Sequence, residues 1–189
     1  DETQCMGTTN IIKCFQAGDE RVNEQAMLTA LHTIFMREHN RICRELAKIN
    51  PKWDDEKLYQ EVRRIVGAQL QYITYHEFLP VVLGPEIIAN YKDLQLTTDG
   101  YYHGYDLDTD PGVFVAFSTA AFRFGHSLIT NEFARMDPDF RQNNPLPVME
   151  SFFRPHTIYS TSPLEGADGI LRGAAAQHSE FPDAFITNQ

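Results

Sequence analysis

The sequence lacks any long hydrophobic run, and this absence argues against a protein that crosses a membrane by helices. None of its apolar stretches approaches the roughly 18 residues that a membrane helix needs. The opening residues are polar and contain neither a signal peptide nor an initiator methionine, so we expect a processed or partial chain. Positive charge is also scarce. The net charge of −10 argues against nucleic acid or an anionic membrane surface as a partner.

Several motifs for catalysis and metal binding are also missing. The chain contains no Gly-rich phosphate loop, no Cys-x-x-Cys, no His-Glu-x-x-His and no Glu-x-x-His. Asp106, Asp108 and Asp110 imitate the start of a calcium loop. Pro111 and Phe117 stand where that loop needs glycine and glutamate, so we interpret the segment as a surface turn.

Cysteine is scarce, and the spacing of the three cysteines leaves the compartment open. Cys5 and Cys14 are close enough in sequence to close a small loop, whereas Cys43 lies in a helical pattern typical of a buried free thiol. A disulfide pair with one spare thiol would fit an extracellular protein. No Asn-x-Ser/Thr sequon supports that location.

What the sequence does contain is helical periodicity, together with 42% hydrophobic residues, which is enough for one compact core. The pattern predicts a helix over residues 23–49 and a second over 55–77, ended by Pro80. Because few residues join them, we expect these helices to pack side by side and roughly antiparallel. Five prolines predict mostly irregular chain over 131–165, and a short helix is predicted at 167–176. The tally favours an all-α, mainly helical fold with long irregular loops and little or no strand.

The first predicted helix carries a charged row beside its apolar face. Acidic and basic side chains alternate there, and members three or four residues apart can form ion pairs. We interpret the row as a face in contact with solvent. Its members are Arg37, Glu38, Arg41, Arg44, Glu45 and Lys48.

The strongest candidate for a binding site lies in residues 115–130. Apolar residues recur there at helical spacing, and Asp110, followed by a proline, supplies a cap for a predicted helix. His126 follows Gly125, whose missing side chain would let a flat ligand approach, and Arg123 lies one turn behind. This arrangement suits an axial haem histidine. It also fits a hydrogen-bonded core histidine, which is the commoner use of a histidine on an apolar helix.

Four stretches of the sequence resemble the animal haem peroxidase family, in the family's order and with similar spacings. The most informative is CFQAGDERVNEQAMLTALHTIFMREHNRICREL, residues 14–46. The others are residues 50–84, AFRFGHSLI at 121–129 and GADGILRG at 166–173. The details are more similar to the invertebrate secreted branch, the chorion peroxidases and peroxidasins, than to the mammalian one. The resemblance implies that residues 1–189 are the central part of a single haem peroxidase domain with that family's mainly helical fold.

The resemblance also implies roles for individual residues. His126 matches the proximal ligand of the haem iron, and Arg123 matches an arginine near a haem propionate. Arg21 matches the distal arginine that polarises bound peroxide, and Glu24 matches the glutamate that forms an ester with a haem methyl. Without the family, Arg21 and Glu24 would be interpreted as a salt bridge at a helix start. Gln25 stands where part of the family has methionine, so no sulfonium link to haem is expected.

Other implied features lie near or beyond the ends of the chain. Cys5 and Cys14 match a small disulfide loop before the distal segment. The distal histidine, the calcium loop and a second ester-forming carboxylate belong to a segment upstream of residue 1. An asparagine that accepts the N–H of the proximal histidine belongs to a segment downstream. The implied cofactors are a b-type haem, ester-linked through Glu24, and calcium held by residues outside this chain.

The resemblance implies a secreted enzyme that uses hydrogen peroxide to oxidise a phenolic, tyrosyl or small-anion donor through a ferryl haem intermediate. A second hypothesis follows from the missing distal base, namely a haem-binding fragment or scaffold without turnover. A third is a helical protein without a cofactor. A haem absorption spectrum and an assay of peroxide-driven oxidation separate the three.

Overall fold

The computed structural model of the protein describes residues 14–91, 94, 100–159 and 166–185. The predicted disulfide includes Cys5, which lies outside the described residues. None of the helices in the described ranges is long and apolar enough to cross a membrane. The chain divides into two compact units, one comprising Asp1–Ile34 and Val113–Gln189 and the other Phe35–Gly112.

The unit Phe35–Gly112 is built on two long helices. Helix α1, Ala26–Ile49, begins in the other unit and contributes its C-terminal half to this one. Helix α2 is Asp55–Ile73. It starts where the Asp54 carboxylate accepts a hydrogen bond of 2.8 Å from the Lys57 N–H, which satisfies one of the free donors of the first turn. Both helices were predicted, because their apolar residues recur at helical spacing.

The two helices contact one another through polar and aromatic side chains. The amide of Gln69 on α2 donates a hydrogen bond of 3.1 Å to the carboxylate of Glu38 on α1. The rings of His39 and Tyr59 lie 5.4 Å apart. The guanidinium of Arg41 also donates to Glu38 at 2.7 Å, so the predicted charged row does form ion pairs.

The prediction that Pro80 ends the second helix is wrong. The chain continues through one π-helical turn, Thr74–Phe78, into a short helix α3, Leu79–Leu83, which holds Pro80 in its first turn. A proline has no N–H, and its ring conflicts with the carbonyl four residues back in an α-helix. The wider π turn relieves that conflict. The helix ends instead at Gly84, whose φ of 82° suits glycine, and α4, Pro85–Asn90, follows.

The predicted helix over 115–130 is interrupted. Helix α5 covers only Val115–Thr119, and a 3₁₀ helix, Ala121–Leu128, follows after a break at Ala120, where φ is −129° and ψ is −70°. Asp110 does not cap it, because the Asp110 carboxylate accepts a hydrogen bond of 2.8 Å from the Gly112 N–H instead. Most of the broad apolar face predicted for this stretch is exposed, and only its last residues, Leu128 and Ile129, are partly buried.

A hairpin interrupts the stretch that was predicted to be irregular. Strand β1, Glu132–Met136, pairs antiparallel with β2, Gln142–Pro147, in a two-stranded sheet. Both strands are edges, so the missing N–H groups of Pro145 and Pro147 do not prevent pairing. This hairpin departs from the mainly helical pattern. Its register pairs Glu132 with Pro147, Phe133 with Leu146, Arg135 with Asn143 and Met136 with Gln142.

The hydrophobic core of the unit that contains the hairpin joins the start of α1 to the later elements. Helix α6, Val148–Ser151, a 3₁₀ turn, Pro155–Ile158, and helix α7, Ala167–Ala176, complete this unit. Burial of these apolar side chains is the main favourable term that holds the elements together. The cluster consists of Ala26, Ala30, Phe133, Leu146, Val148, Ile158 and Ile170.

Helix α7 lies directly against β1, and two of the residues at its C-terminal end explain how. At Gly173 an added Cβ would come 1.8 Å from the carbonyl oxygen of Ala134, so only glycine allows this approach. The side chain of Gln177 accepts from the Ala134 N–H at 3.0 Å and donates to the Glu132 carbonyl at 2.9 Å. It therefore satisfies backbone groups on the free edge of β1 as a further strand would.

Candidate functional site

One ring nitrogen of His126 is hydrogen-bonded to the backbone, and the other is available to bind a ligand. Its Nδ1 lies 2.7 Å from the carbonyl oxygen of Arg123, one turn earlier in the 3₁₀ helix. Since a carbonyl can only accept, Nδ1 carries a hydrogen and donates it, and in the neutral imidazole Nε2 then keeps its lone pair. The side chain is exposed. The alternative interpretation, a core histidine, is therefore wrong for this chain, although the backbone hydrogen bond that it implied is present.

Arg123 and His126 line the same open cavity, of about 380 Å³. The Nε of Arg123 donates to the carbonyl of Ser118 at 3.3 Å, which helps to hold the guanidinium over the helix break. The sequence predicted this proximity, because residues three apart face the same side of a helical turn. The lining residues are Arg123, Phe124, His126, Ser127, Asp183, Ala184 and Phe185.

Gly125 leaves open space beside His126. A Cβ built at Gly125 would meet no atom within 4 Å, other than those of its two chain neighbours and its own helix backbone. A flat ligand can thus approach the backbone here without displacing a side chain. This is the role that the sequence suggested for Gly125.

The far wall of the cavity is formed by residues 183–185, for which the sequence predicted no role. The N–H of Glu180 donates to the Leu128 carbonyl at 3.0 Å, and the N–H of Asp183 donates to the Ser127 hydroxyl at 3.2 Å. These contacts join residues about fifty positions apart, and they hold the segment along the 3₁₀ helix. The sequence gives no local signal for them, since no motif in HSEFPDAFITNQ marks a partner.

Arg21 lies in a 3₁₀ turn, Glu20–Asn23, and is paired with Asp19 rather than with Glu24. Its Nε and Nη2 donate to the two carboxylate oxygens of Asp19 at 2.9 Å and 2.5 Å. The same carboxylate accepts from the Arg21 N–H at 2.9 Å and so caps the turn. These hydrogen bonds hold the pKa of Asp19 well below its usual range and raise the pKa of Arg21. The salt bridge between Arg21 and Glu24 that would be expected without the family is therefore wrong in its partner, because Arg21 pairs with Asp19.

Glu24 is close enough to Arg21 to affect the pKa of its guanidinium. The negative charge of Glu24 contributes to the raised pKa of Arg21, after the larger effects of Asp19. The backbone N–H of Glu24 donates to the Arg21 carbonyl at 2.9 Å, and its own carbonyl accepts from the Phe153 N–H at 3.1 Å. The partly buried Glu24 is thereby fixed at the end of the turn.

The segment with Arg21 and the segment with His126 attach to the same hydrophobic core. Ala26 and Ala30, just after Glu24, belong to the core cluster, and Ile129, three residues after His126, packs against it. All of these residues belong to one compact unit. Among the described residues, no group of three or more His, Cys, Asp or Glu side chains could hold a metal ion by itself.

Comparison with known proteins agrees with these observations. The sequence model of the animal haem peroxidases matches residues 1–189. Human peroxidasin homolog is 46% identical over 175 residues, which cover 90% of this chain and 11% of that protein. Human eosinophil peroxidase is 44% identical over 183 residues, which cover 94% of this chain and 24% of that protein.

A solved structure gives the same result for the fold. Peroxidase A from Dictyostelium discoideum aligns with a TM-score of 0.75 at 32% identity, covering 92% of this chain and 30% of that one. The chain thus spans a quarter or less of the length of these curated relatives. The match to the family model and the structural alignment together confirm the predicted family and its mainly helical architecture. The chain belongs to the animal haem peroxidase family.

Proposed function

We propose that the protein is a haem peroxidase that uses hydrogen peroxide to oxidise a phenolic or tyrosyl compound, or a small anion. The observation that carries the proposal is the state of His126, with Nδ1–H bound to a backbone carbonyl and Nε2 free in an open cavity. A neutral imidazole held in this tautomer is the form that ligates a metal through Nε2. Haem, when bound, would supply a redox-active iron that reacts with peroxide.

His126, Arg123 and Gly125 together fit a flat anionic ligand. The guanidinium of Arg123 uses its Nε on the Ser118 carbonyl and keeps its other N–H groups for a carboxylate, such as a propionate of haem. The open space at Gly125 would leave room for a flat ring. The hydrogen bond at Nδ1 makes Nε2 of His126 a more basic ligand for a metal and fixes the orientation of the ring.

We assign Arg21 the role of a fixed cation for peroxide cleavage. When the O–O bond breaks unevenly, negative charge grows on the departing oxygen, and a positioned guanidinium lowers the energy of that state. Asp19 binds Nε and Nη2 of Arg21, which fixes the plane of the guanidinium and leaves Nη1 for peroxide. The raised pKa keeps Arg21 charged at every working pH.

Glu24 is assigned the covalent link to haem. The supporting features are its fixed backbone, its partial burial and its electrostatic influence on Arg21. An ester at this position would prevent haem from dissociating and would tie the ring to the turn that carries Arg21.

Family membership supports four further proposals about the whole protein. Residues 1–189 form part of a single haem peroxidase domain, and Cys5 and Cys14 form a disulfide. Calcium is bound by residues outside this chain. The protein is secreted.

The test of the proposed function replaces His126 with alanine in the haem-loaded protein. We expect His126→Ala to lose the sharp haem absorption band. Its peroxide-driven turnover of a phenol should fall by at least about tenfold, on the order expected for loss of the iron ligand. Unchanged turnover in this variant would refute the assignment.

The chain offers a matched control in His32. Its Nδ1 lies 2.8 Å from the carbonyl of Leu28, and its side chain is exposed, so it has the same local chemistry as His126. His32→Ala should keep both the haem band and the turnover. Equal losses in the two variants would indicate a general effect on folding rather than a ligand role.

Haem binding without turnover is the second candidate function. The observation that favours it is that none of the seven histidines of this chain stands in the sequence context of the family's distal histidine. This candidate predicts a normal haem band that disappears in His126→Ala, together with oxidation of phenol no faster than with free haem. Turnover above that of free haem would exclude it.

A further inference from the structure

Tyr101 and Tyr105 are the most exposed tyrosines in the described part of the chain, at 87% and 80% of their surface. They lie in irregular chain within the unit Phe35–Gly112. Tyr102, between them, folds its ring back over Gly104, where an added Cβ would come 2.5 Å from the Tyr102 hydroxyl. Tyr102 is exposed over 48% of its surface, so the neighbouring Tyr101 and Tyr105 present more of their surface to solvent.

Three other tyrosines are each held against a second ring. Within the described residues, no such ring contact involves Tyr101 or Tyr105. A stacked or tilted partner covers part of a phenol and restricts the approach of another molecule. Burial also raises the pKa of Tyr159. The held pairs are Tyr59 with His39 at 5.4 Å, Tyr72 with His76 at 4.2 Å and Tyr159 with Phe15 at 5.0 Å.

The residues after Tyr105 give this part of the surface a fixed negative charge. The Asp106 carboxylate accepts from the Asp108 N–H at 2.9 Å and from the Thr109 hydroxyl at 3.1 Å, which orders the turn. Both aspartates are exposed, and the whole chain carries a net charge of −10. A small phenol with a positive charge is attracted to such a surface.

We propose that Tyr101 and Tyr105 are attachment sites for phenols that the protein itself oxidises. This covalent modification rests on the proposed peroxidase function and names two substrate residues within the chain. Because oxidised phenol diffuses as a radical, the attachment needs no particular distance between the tyrosines and His126.

The chemistry balances with hydrogen peroxide as the oxidant. One peroxide takes a hydrogen atom from each of two phenol molecules and becomes two waters, leaving two phenoxyl radicals. One radical takes the hydroxyl hydrogen of the tyrosine, which regenerates a phenol and leaves a tyrosyl radical. The second phenoxyl radical then joins the tyrosine ring by a carbon–carbon bond. The net change is one peroxide, one phenol and one tyrosine to one adduct and two waters.

Tyramine is the probe, since it is a phenol with a positive charge. The haem-loaded protein is treated with tyramine and peroxide, and its peptides are analysed by mass spectrometry for the mass of tyramine less two hydrogens. We expect most of the adduct on Tyr101 and Tyr105.

Y101F/Y105F should lose most of the adduct and consume tyramine at the rate of the unmodified protein. The matched control Y72F/Y159F should keep the adduct. Equal labelling in the two double variants would overturn the proposal.

A second measurement separates failure of this proposal from failure of the proposed function. If the protein does not consume tyramine, the phenol-oxidising part of the proposed function fails. Tyramine radicals are then generated externally, by illuminating tris(bipyridyl)ruthenium with persulfate in the presence of the protein. Adduct concentrated on Tyr101 and Tyr105 would support their role as attachment sites. Adduct spread evenly over the exposed tyrosines would overturn it.

Discussion

The ionisation of Glu38 affects the contact between α1 and α2. Hydrogen bonds from the Arg41 guanidinium, and then from the Gln69 amide, lower the pKa of Glu38 from 4.5 to about 2. Both stabilise the ionised form, and the Gln69 bond links the two helices. Because the pKa is lower in the folded state, ionised Glu38 stabilises the fold above pH 4.5, and this contribution is lost as pH falls through about 2.

Replacement of Glu38 tests this linkage. We expect Glu38→Gln to be less stable than the unmodified protein at neutral pH, and the difference in free energy of unfolding should shrink between pH 4.5 and about 2. Urea unfolding at a series of pH values measures it. Glu45→Gln is the control, because Glu45 pairs with Lys48 on the same helix and is exposed, so a smaller change is expected. A constant difference between Glu38→Gln and the unmodified protein across that range would contradict the prediction.

Single residues of the site were predictable where the contact is local in sequence. The proximity of Arg123 and His126 follows from their spacing on one helical turn. The partner of Arg21 does not follow from spacing, since Asp19 and Glu24 are both within reach. The geometry of the cap favours Asp19 as the partner, because its carboxylate already accepts a hydrogen bond from the Arg21 N–H. The wall formed around Asp183 depends on contacts with Ser127, far away in sequence, and was not predicted.

At the scale of elements, the sequence predicted α1 and α2 from periodicity and a short helix at α7, but not how the chain departs from regular geometry. Spacing of apolar residues fixes which side of a helix is buried, and it does not separate an α-helix from a 3₁₀ or π turn. The break at Ala120 has no glycine or proline to mark it. The proline at position 80 looked like a stop, whereas the backbone accommodates it with a π turn.

The packing of α7 on β1 depends on the absence of a side chain at Gly173. Because an added Cβ would lie 1.8 Å from the Ala134 carbonyl oxygen, Gly173→Ala must push the helix away from the strand. We expect a loss of about 3 kcal/mol in the free energy of unfolding, the upper end for overpacking a core. Loss of the Gln177 hydrogen bonds to β1 should accompany it, visible as faster amide exchange at Ala134.

Gly67 provides the control for that substitution. It lies within α2, and an added Cβ there would meet no atom within 4 Å beyond its chain neighbours and the backbone of α2. Gly67→Ala should stabilise the protein by about 0.5–1 kcal/mol, the ordinary gain of alanine over glycine inside a helix. Equal destabilisation by the two substitutions would show that the contact with Ala134 is not the cause.

At the scale of the whole molecule, exposed apolar surface and negative charge act in opposite directions. Phe114 and Phe181 are exposed over 87% and 88% of their surface, and Val81 over 84%. Contiguous apolar surface favours association, because it removes apolar groups from water. The net charge of −10 opposes association by repulsion between copies. Salt screens the repulsion and leaves the apolar attraction, so ionic strength decides the balance.

We therefore expect the 189-residue chain to associate at ordinary protein concentrations, and more strongly as salt is added. Sedimentation velocity at low and high ionic strength measures the change. F114S/F181S should move the distribution toward monomer at both ionic strengths, because it removes apolar surface and leaves the charge unchanged. If association were driven by ion pairs instead, salt would weaken it and the double variant would have little effect. A chain that stays monomeric at high salt and unfolds cooperatively would show that its exposed apolar groups are too scattered to bind one another.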